Sequence, residues 1–453
     1  MSNSERRTDS GFCYRDLPKG TTLADQPNIL FICTDQQYAG AMSCAGNSDL
    51  STPGMDRIAE AGTRFERAYC THPLCCPARS SFVTGLMPHR SGVLGNGTPI
   101  HQELLPHTIG NVLRKAGYDA ALAGKWHVPG CKPTDCGLEE LCPTNDALVP
   151  EVSTDYFKTD REKPFFLFAS FINPHDICQV ARNQDLPQGP VSSVPLDQCP
   201  GLPENFAIPP YAPDALQYLR RVAPRIYPTL DWTDDQWRHF RHAYFRLVEK
   251  VDSEIVRLLD GLEASGKADN TVVIFTSDHG DGHGAHHWNQ KTALWEEEIR
   301  IPMIISEPGQ TGGRVENGRL VSNGLDLLPT VCDYASADCP EGLDGLSLRP
   351  LVRGDEPDTW RNEVVVETQI NFGDGPGGPS YARALVTEQY KYSVYLMGRN
   401  REQLVDIVED AGEMVNLAAE SRHQDTLQSC RDRLRAWGES TGDPGVGIVP
   451  SQD

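Results

Sequence analysis

Short apolar runs alternate with amphipathic stretches along most of the chain. The apolar runs are typical of buried parallel strands, and they cover residues 28–33, 120–123, 164–171 and 271–276. The amphipathic stretches predict helices at residues 52–62, 105–117 and 234–262, the first of which opens on Thr52 and Pro53. This alternation predicts an α/β fold with a mostly parallel central sheet sandwiched by helices.

The pattern changes in the last quarter of the chain. Strands are predicted at residues 384–386, 390–395 and 402–406, followed by a polar helix from Met414 to Trp437. We therefore divide the chain into a polar N-terminal extension (1–26), a main domain (27–352) and a smaller C-terminal α+β subdomain (353–453). A proline-rich stretch between Cys178 and Pro228 is too long for an ordinary connection, and we interpret it as a substrate-facing loop.

Polar residues follow three of the predicted strands. Asp35 and Gln36 follow the first strand, His175 follows the 164–171 run, and Asp278 and His279 follow the last. Ligands of parallel sheets bind beyond the carboxyl ends of the strands. Asp35 alone would be interpreted as a helix cap or a turn residue. The combination of carboxylates with an amide and a histidine instead predicts a site for a hard divalent cation such as calcium or magnesium.

The charge of the chain limits its partners. Acidic residues outnumber basic ones by 63 to 41, which gives a formal charge of −22. This disfavours nucleic acids and anionic membranes as partners, and an anionic substrate would need a local basic pocket. No apolar run is long enough to span a bilayer. Residues 1–26 lack the apolar segment of an export signal, so the chain as written is expected in the cytoplasm, or in the periplasm or outside the cell if a signal was removed.

The chain has 14 cysteines, which in a secreted protein would suggest disulfides. Cys33 and Cys332, however, lie singly within apolar stretches, which favours buried reduced thiols. Cys131, Cys136 and Cys142 are clustered, but their spacing matches no common zinc site. A loop disulfide and no bond at all both remain open for this cluster.

The most specific segment is residues 75–85, Cys-Cys-Pro-Ala-Arg-Ser-Ser-Phe-Val-Thr-Gly. An adjacent cysteine pair by itself would be interpreted as two small buried residues. The proline, the arginine and the threonine-glycine pair stand at fixed offsets, and the segment resembles the Cys-x-Pro-x-Arg-x-x-x-x-Thr-Gly signature of the type I, formylglycine-dependent sulfatases. The resemblance extends over residues 28–351 and implies the alkaline-phosphatase-like fold of that superfamily. It also implies that a formylglycine-generating or sulfatase-maturing enzyme converts Cys75, while Cys76 is structural.

Formylglycine explains the choice of residue, because its hydrate offers two hydroxyls on one carbon, one to attack sulfur and one to release the sulfate by elimination. The resemblance also implies a metal held by Asp35, Gln36, Asp278, His279 and the formylglycine made from Cys75. We expect calcium, with magnesium or manganese as alternatives. Many family members have a second aspartate where this chain has Gln36, whose amide oxygen can ligate but lowers the negative charge of the site.

Two further segments resemble the family's sulfate-binding segments. They are Gly124-Lys125-Trp126-His127 and the block from Trp288 to Lys291. An isolated lysine is usually solvated, and an isolated histidine usually has a packing role. The resemblance instead implies that Lys125 and Lys291 bind sulfate oxygens and that His127 acts as a base. It further implies that His175 donates to the ester oxygen or to the leaving alcohol and that Arg79 holds the nucleophile.

These features predict a sulfatase that acts on a sulfated small molecule or oligosaccharide, with a carbohydrate sulfate favoured over choline sulfate or another small ester. A phosphonate or phosphate ester hydrolase of the same superfamily is the alternative suggested by Gln36 beside Asp278 and His279. A non-catalytic glycan-binding relative is disfavoured, because it would be expected to lack Cys75, Arg79 or a metal carboxylate, and all are present.

Overall fold

A computed structural model describes residues 26–223, 226, 228–310, 312–371 and 379–451, so the proposed extension lies outside the described residues except for Gln26. The strands of the main domain are β1 (Asn28–Asp35), β2 (Thr63–Phe65), β3 (Ala68–Tyr69), β4 (Asp119–Gly124), β5 (Glu139–Cys142), β6 (Phe165–Pro174), β7 (Thr271–Ser277), β8 (Met303–Ser306), β9 (Arg314–Glu316) and β10 (Val321–Ser322). Eight of them form one sheet with the order β5-β4-β6-β1-β7-β8-β2-β9, and β10 pairs with β3. The run from β5 to β7 is parallel, and β8 is antiparallel to both of its neighbours. The mostly parallel sheet is therefore confirmed.

Helices cover both faces of this sheet. They are α1 (Pro53–Glu60), α2 (Cys75–Thr84), α3 (Pro88–Ser91), α4 (Ile109–Lys115), α5 (Leu148–Lys158), α6 (Ile177–Ala181), α7 (Asp214–Val222), α8 (Asp234–Ala264), α9 (Glu296–Ile299), α10 (Asn323–Ala335) and α11 (Arg349–Arg353). Alternate residues of β1 point to opposite faces, as the two-residue period of a strand requires. Ile29 and Phe31 join a core with α2, α4 and α10, whereas Leu30 and Ile32 join a core with α1, α5 and α8.

The C-terminal part forms a second layer with its own core. Its antiparallel sheet consists of β11 (Glu363–Asn371), β12 (Pro379–Thr387), β13 (Tyr390–Tyr395) and β14 (Glu402–Asp406), and α12 (Gln424–Thr441) follows. Leu385, Tyr392 and Leu404 of the sheet pack with Leu427 and Leu434 of α12. This confirms an α+β subdomain, while the exact boundary at residues 352 and 353 stays a prediction.

Three sequence expectations are corrected. The region 105–117 begins as a 3-10 turn, Gln102–His107, and becomes α-helical only after the extended residue Thr108. The helix expected from Met414 starts ten residues later, because the Asn416 side chain accepts hydrogen bonds from the backbone N–H groups of Ala418 (3.0 Å) and Leu404 (3.1 Å) and so fixes a tight turn. The stretch between Cys178 and Pro228 contains helix α7 and is not a loop throughout.

Strand β11 lies against the segment that leads into α2. The backbone N–H of Glu367 donates to the carbonyl oxygen of Thr71 (2.9 Å), and the N–H of Gln369 donates to Nε2 of His72 (3.2 Å). The Thr368 hydroxyl donates to the carbonyl oxygen of Thr292 (3.0 Å). The C-terminal subdomain thus supports two segments that flank Cys75 and Lys291.

A buried ion cluster also joins the two parts. Nζ of Lys391, on β13, lies 2.5 Å from Oε1 of Glu413 and 3.4 Å from Oε1 of Glu296, and it donates to the carbonyl oxygen of Leu294 (2.8 Å). The backbone N–H of Glu296 donates to Oε2 of Glu413 (2.6 Å). Burial raises the pKa of Glu413, and the charge of Lys391 opposes this rise. The ammonium group therefore lies between Glu413, which is fully buried, and Glu296, whose side chain is 11% exposed.

A histidine makes a third connection. Nδ1 of His89, on α3, bonds to Glu367 of β11, and Nε2 lies 3.2 Å from the carbonyl oxygen of Thr441 at the end of α12. Both partners are acceptors, so the arrangement suits a doubly protonated ring. Burial alone would lower the pKa of His89, but the hydrogen bond and the charge of Glu367 raise it.

The cysteines of the described residues are all free, which confirms the reduced thiols expected at Cys33 and Cys332. The sulfurs of Cys131 and Cys136 lie 3.6 Å apart without a bond, and Cys142 is on β5. Among the helices that the structure describes, none has both the length and the apolar character needed to cross a membrane.

Candidate active site

Four neighbouring parallel strands deliver polar residues to one edge of the sheet. In the order β4-β6-β1-β7, the residues at or just beyond their carboxyl ends are Lys125, His175, Asp35 with Gln36, and Asp278 with His279. Gly124 lets β4 approach β6 closely, since a Cβ atom there would lie 2.1 Å from the carbonyl oxygen of Ser170. The sheet therefore assembles the residues that sequence patterns place at strand ends.

Helix α2 brings Cys75 to this edge. Cys75 is the first residue of the helix, where free backbone N–H groups and the helix dipole favour negative charge. The helix ends at Gly85, which has φ 69° and donates its N–H to the carbonyl oxygen of Ser81 (2.7 Å). The spacing of the motif thus corresponds to one complete helix with its terminating glycine.

The sulfur of Cys75 is fully buried among charged groups. It lies 3.2 Å from Nζ of Lys291, 3.3 Å from Nε2 of His279 and 3.7 Å from Oδ1 of Asp35. Burial and then Asp35 would raise the pKa of this thiol, but Lys125, Lys291 and His279 together bring it well below its ordinary value. The site is therefore built to hold negative charge at position 75.

Arg79, one turn further along α2, donates hydrogen bonds to residues at or near the carboxyl ends of four strands. Its Nε donates to Asp278 Oδ2 (2.8 Å) and its Nη2 to Asp35 Oδ2 (3.3 Å). Its Nη1 donates to the Ser170 hydroxyl (2.8 Å) and to the Lys125 carbonyl oxygen (3.1 Å). The guanidinium is 1 % exposed, so it acts as a buried counter-charge and not as a surface group.

The donor set suits a divalent cation. One ligand atom from each of Asp35, Cys75, Asp278 and His279 lies within 4.8 Å of the others, and all four residues are buried. Lys125 also bonds to Asp35. Burial would raise the pKa of Asp35, but nearby positive groups hold it well below its ordinary value, namely Lys125, His175, Lys291 and Arg79. Two ionised carboxylates with an imidazole and the group at position 75 fit a divalent metal.

Gln36 lies beside this cluster. Its side-chain oxygen accepts from Nζ of Lys291 (2.8 Å), and its side-chain nitrogen donates to Asp281 Oδ2 (2.6 Å). Asp281 was missed from the sequence, although it stands only three residues after Asp278. The predicted metal role of Gln36 stays a prediction.

The two histidines differ in environment. His175 is close to Cys75, and burial and then Lys291 lower its pKa to about 4, so its ring is neutral at neutral pH. A neutral ring can donate one hydrogen bond to a leaving oxygen. His127 is an exposed residue with φ 60°, two positions beyond Lys125. The structure thus groups every predicted site residue except His127 around Cys75, and the base role of His127 stays a prediction.

His72 is a second residue that the sequence did not reveal. It is buried, and burial and then Arg383 and His279 lower its pKa well below the ordinary value, while Cys75 opposes them. Its Nε2 accepts the N–H of Gln369 (3.2 Å). A neutral histidine therefore separates the site from β11.

Comparisons with known proteins agree with this geometry. The family model described as sulfatase matches residues 27–337, and the model of the N-sulphoglucosamine sulphohydrolase C-terminal region matches residues 284–439. A Delta 4,5-hexuronate-2-O-sulfatase of Bacteroides thetaiotaomicron is 30% identical over 436 residues, which cover 90% of this chain and 88% of the relative. A choline-sulfatase of Rhizobium meliloti is 30% identical over 481 residues, with 93% and 89% covered.

A solved structure of a 2-O GAG sulfatase superposes with a TM-score of 0.84 at 27% identity, covering 94% of this chain and 95% of that one. Family membership implies a divalent metal and a formylglycine, and the cluster around Cys75 is where both would lie. The chain belongs to the sulfatase family and is a sulfuric ester hydrolase.

Proposed function

We propose that this enzyme removes sulfate from a sugar sulfate ester, with formylglycine made from Cys75 as nucleophile and with calcium as the metal. The observation that carries the proposal is the buried sulfur of Cys75, 3.2 Å from the ammonium of Lys291 and beside the donor atoms of Asp35, Asp278 and His279. A separate maturing enzyme would be the partner that oxidises Cys75.

The cation would be held by Asp35, Asp278 and His279 together with position 75, with Gln36 as a further oxygen ligand. When bound, it supplies positive charge next to a formylglycine that supplies a hydroxyl able to attack sulfur. Oxygen ligands favour calcium, and magnesium or manganese remain alternatives to be measured.

The remaining residues of the site bind and orient the ester. Arg79, Lys125 and Lys291 bring three positive charges against the two carboxylates nearest the sulfur, although the chain as a whole carries −22. A sulfate group is therefore attracted locally by a chain that repels anions at long range. Buried ammonium groups that do not need to reorganise stabilise charge on the sulfate oxygens in the transition state.

Protons move through the histidines in this proposal. Neutral His175 donates a hydrogen bond to the bridging ester oxygen as the alcohol leaves. His127, which is exposed, would act as the base of the reaction and exchange with solvent the proton that it takes up. The base and the donor would thus lie just beyond two different strand ends, those of β4 and β6.

A sugar sulfate is supported by the hexuronate 2-O-sulfatase and the 2-O GAG sulfatase among the similar proteins. We would incubate enzyme co-produced with a maturing enzyme with unsaturated hexuronate 2-O-sulfate disaccharides, N-acetylglucosamine 6-sulfate, choline sulfate, an aryl sulfate and an aryl phosphonate. Release of sulfate from a sugar at the highest kcat/KM supports the proposal. A preference for choline sulfate or for the phosphonate would overturn the sugar assignment.

The nucleophile is tested separately. Peptide mass spectrometry should find Cys75 as the aldehyde or its hydrate and Cys76 as a thiol. Cys75→Ala should abolish sulfate release, whereas the matched control Cys76→Ala should keep it. Full activity of Cys75→Ala would contradict the assignment.

A further inference from the structure

The amide of Gln36 links an unassigned carboxylate to the lysine beside the nucleophile. Asp281, Gln36 and Lys291 form a hydrogen-bonded chain, with 2.6 Å from Gln36 Nε2 to Asp281 Oδ2 and 2.8 Å from Lys291 Nζ to Gln36 Oε1. Lys291 continues the chain to the sulfur of Cys75 at 3.2 Å. Gln36 and Asp281 are fully buried, so water does not compete for these bonds.

The two ends of the amide are not interchangeable here. A carboxylate only accepts hydrogen bonds and an ammonium only donates them, so the nitrogen of Gln36 must face Asp281 and its oxygen must face Lys291. The backbone of Gln36 is also constrained, with φ 71°. Its N–H donates to Asp278 Oδ1 (3.1 Å), and its carbonyl oxygen accepts from the Tyr244 hydroxyl (2.9 Å).

Asp281 is itself held in place. Its Oδ1 accepts the backbone N–H of His283 (2.7 Å), which leaves Oδ2 for Gln36. Gly282, which follows Asp281, is tightly packed. A Cβ atom at this position would lie 2.7 Å from Oε1 of Glu298 and 2.7 Å from the ring of Trp288. Asp281 is therefore a fixed acceptor that does not itself touch Cys75.

We propose that Asp281 is a positioning residue. By accepting a hydrogen bond from the amide nitrogen of Gln36, it turns the amide oxygen toward Lys291 and the metal ligands. That oxygen in turn holds the ammonium of Lys291 beside position 75. The inference rests on the proposed function, because the ammonium matters for catalysis only if a sulfate group binds there. It also explains how this chain accommodates an amide at position 36. The negative charge absent from that position lies one hydrogen bond further out, at Asp281.

The arrangement predicts that two substitutions, one at Gln36 and one at Asp281, should compensate each other. Gln36→Glu keeps the size of the side chain but replaces the donating nitrogen with an oxygen, which then faces a carboxylate oxygen of Asp281. Asp281→Asn supplies a new donor, so the double variant Gln36→Glu with Asp281→Asn restores the contact with its direction reversed. The two substitutions should therefore compensate each other.

The test compares these three variants with the wild type in two forms of the protein. In matured enzyme, Gln36→Glu should lose at least about tenfold in kcat/KM on an aryl sulfate, and the double variant should recover most of it. In protein that keeps the Cys75 thiol, calorimetric titration with Ca²⁺ and with Mg²⁺ and the melting temperature should show the same loss and recovery. Asp281→Asn alone should lose less than Gln36→Glu, since it places no second carboxylate in the pair, although its single oxygen then serves either Gln36 or the His283 N–H.

Additive losses in the double variant, or a Gln36→Glu enzyme with wild-type metal affinity and turnover, would overturn the proposal. A merely structural role of Asp281 would lower the melting temperature in both single variants without recovery in the double. The thiol form also separates this inference from the proposed function. If no sulfate ester is turned over, compensation in metal affinity and melting temperature still supports the positioning role, and its absence still refutes it.

Discussion

Lys391→Met removes the ammonium group that compensates the buried carboxylates between the two parts of the molecule. Lys391 is 1 % exposed and lies 2.5 Å from Glu413, which is itself fully buried. In the wild type the ammonium limits the rise of the Glu413 pKa to about 8. Without the ammonium, Glu413 must keep its proton at higher pH to stay buried, because an isolated buried carboxylate is far too costly. The ordinary pKa of a glutamate is 4.5.

The size of the loss depends on the pH. At pH 7 the Glu413 carboxyl is mostly protonated with or without the ammonium, because its pKa in the wild type is about 8, so its proton adds little to the difference. The carbonyl oxygen of Leu294 loses its donor, which costs about 1 kcal/mol. We therefore expect Lys391→Met to lower the free energy of unfolding by about 1 kcal/mol at pH 7.

The pH dependence has a definite sign. Above a pH of about 8 the wild-type carboxyl ionises beside the ammonium, whereas the variant must keep its proton, so the loss in the variant grows as the pH rises through that value. At pH 9 the proton adds about 1.4 kcal/mol, and the loss should reach about 2.4 kcal/mol. Urea unfolding followed by tryptophan fluorescence at pH 7 and pH 9 measures both values.

Two controls sharpen this experiment. Lys158→Met removes an exposed lysine at the end of α5 and should change stability by less than about 0.5 kcal/mol. Adding Glu413→Gln to Lys391→Met removes the carboxylate that needs the ammonium, and the additional loss at pH 9 should be recovered. If Lys391→Met loses equally at both pH values, or if the double variant recovers nothing, the reasoning about the buried cluster is wrong.

Further expectations concern the site and the third connection between the two parts, which is made by His89. Lys125→Ala and Lys291→Ala should each cost roughly 3 kcal/mol of transition-state stabilisation, about a hundredfold in kcat/KM, and near wild-type steady-state kinetics would move the sulfate pocket elsewhere. Asp278→Ala, like chelation of the wild type, should abolish turnover while circular dichroism stays unchanged, and retained activity would exclude Asp278 from the metal site. His89 has a raised pKa in the folded protein, so its contribution to stability should be complete below pH 6.5 and disappear as the pH rises through the raised value. His89→Gln should remove this pH dependence from thermal unfolding, as should Glu367→Gln, and an unchanged pH profile would contradict the charged pair.

The elements that the sequence predicted best are those with a clear hydrophobic period. The central strands β1, β4, β6 and β7 are apolar on both faces. The polar residues at the carboxyl ends of β1 and β7, Asp35 and Asp278, could be located from the ends of the apolar runs alone. Helix α2 could not be predicted from periodicity, because every residue from Cys75 to Thr84 is buried and the helix has no exposed polar face. The motif identified the chemistry of this segment, but its helical conformation was not predicted.

Contacts between distant loops were beyond the reach of the sequence. Asp281 contacts Gln36 across 245 positions of the chain, and Lys391 contacts Glu296 from another sheet. Such pairs depend on how loops fold back over the sheet, and the hydrophobic periodicity of a single segment carries no information about that. The exposed position of His127 could not be predicted either. The turn after Lys125 depends on the left-handed backbone of His127 and not on the pattern of the strand before it.

The position of β1 in the middle of the sheet has a consequence for the order of events during synthesis. Its neighbours are β6, where Ile29 pairs with Phe166, and β7, where Asn28 pairs with Thr271, 243 residues later. At about 5–20 residues per second, a ribosome needs roughly 12–50 s to make that length. For that interval the strand lacks one of its two partners, and Lys291, which lies 3.2 Å from the sulfur of Cys75 in the folded protein, has not been made. An enzyme that has to reach the thiol would have access to it before these later residues enclose it, and translation speed sets the length of that interval.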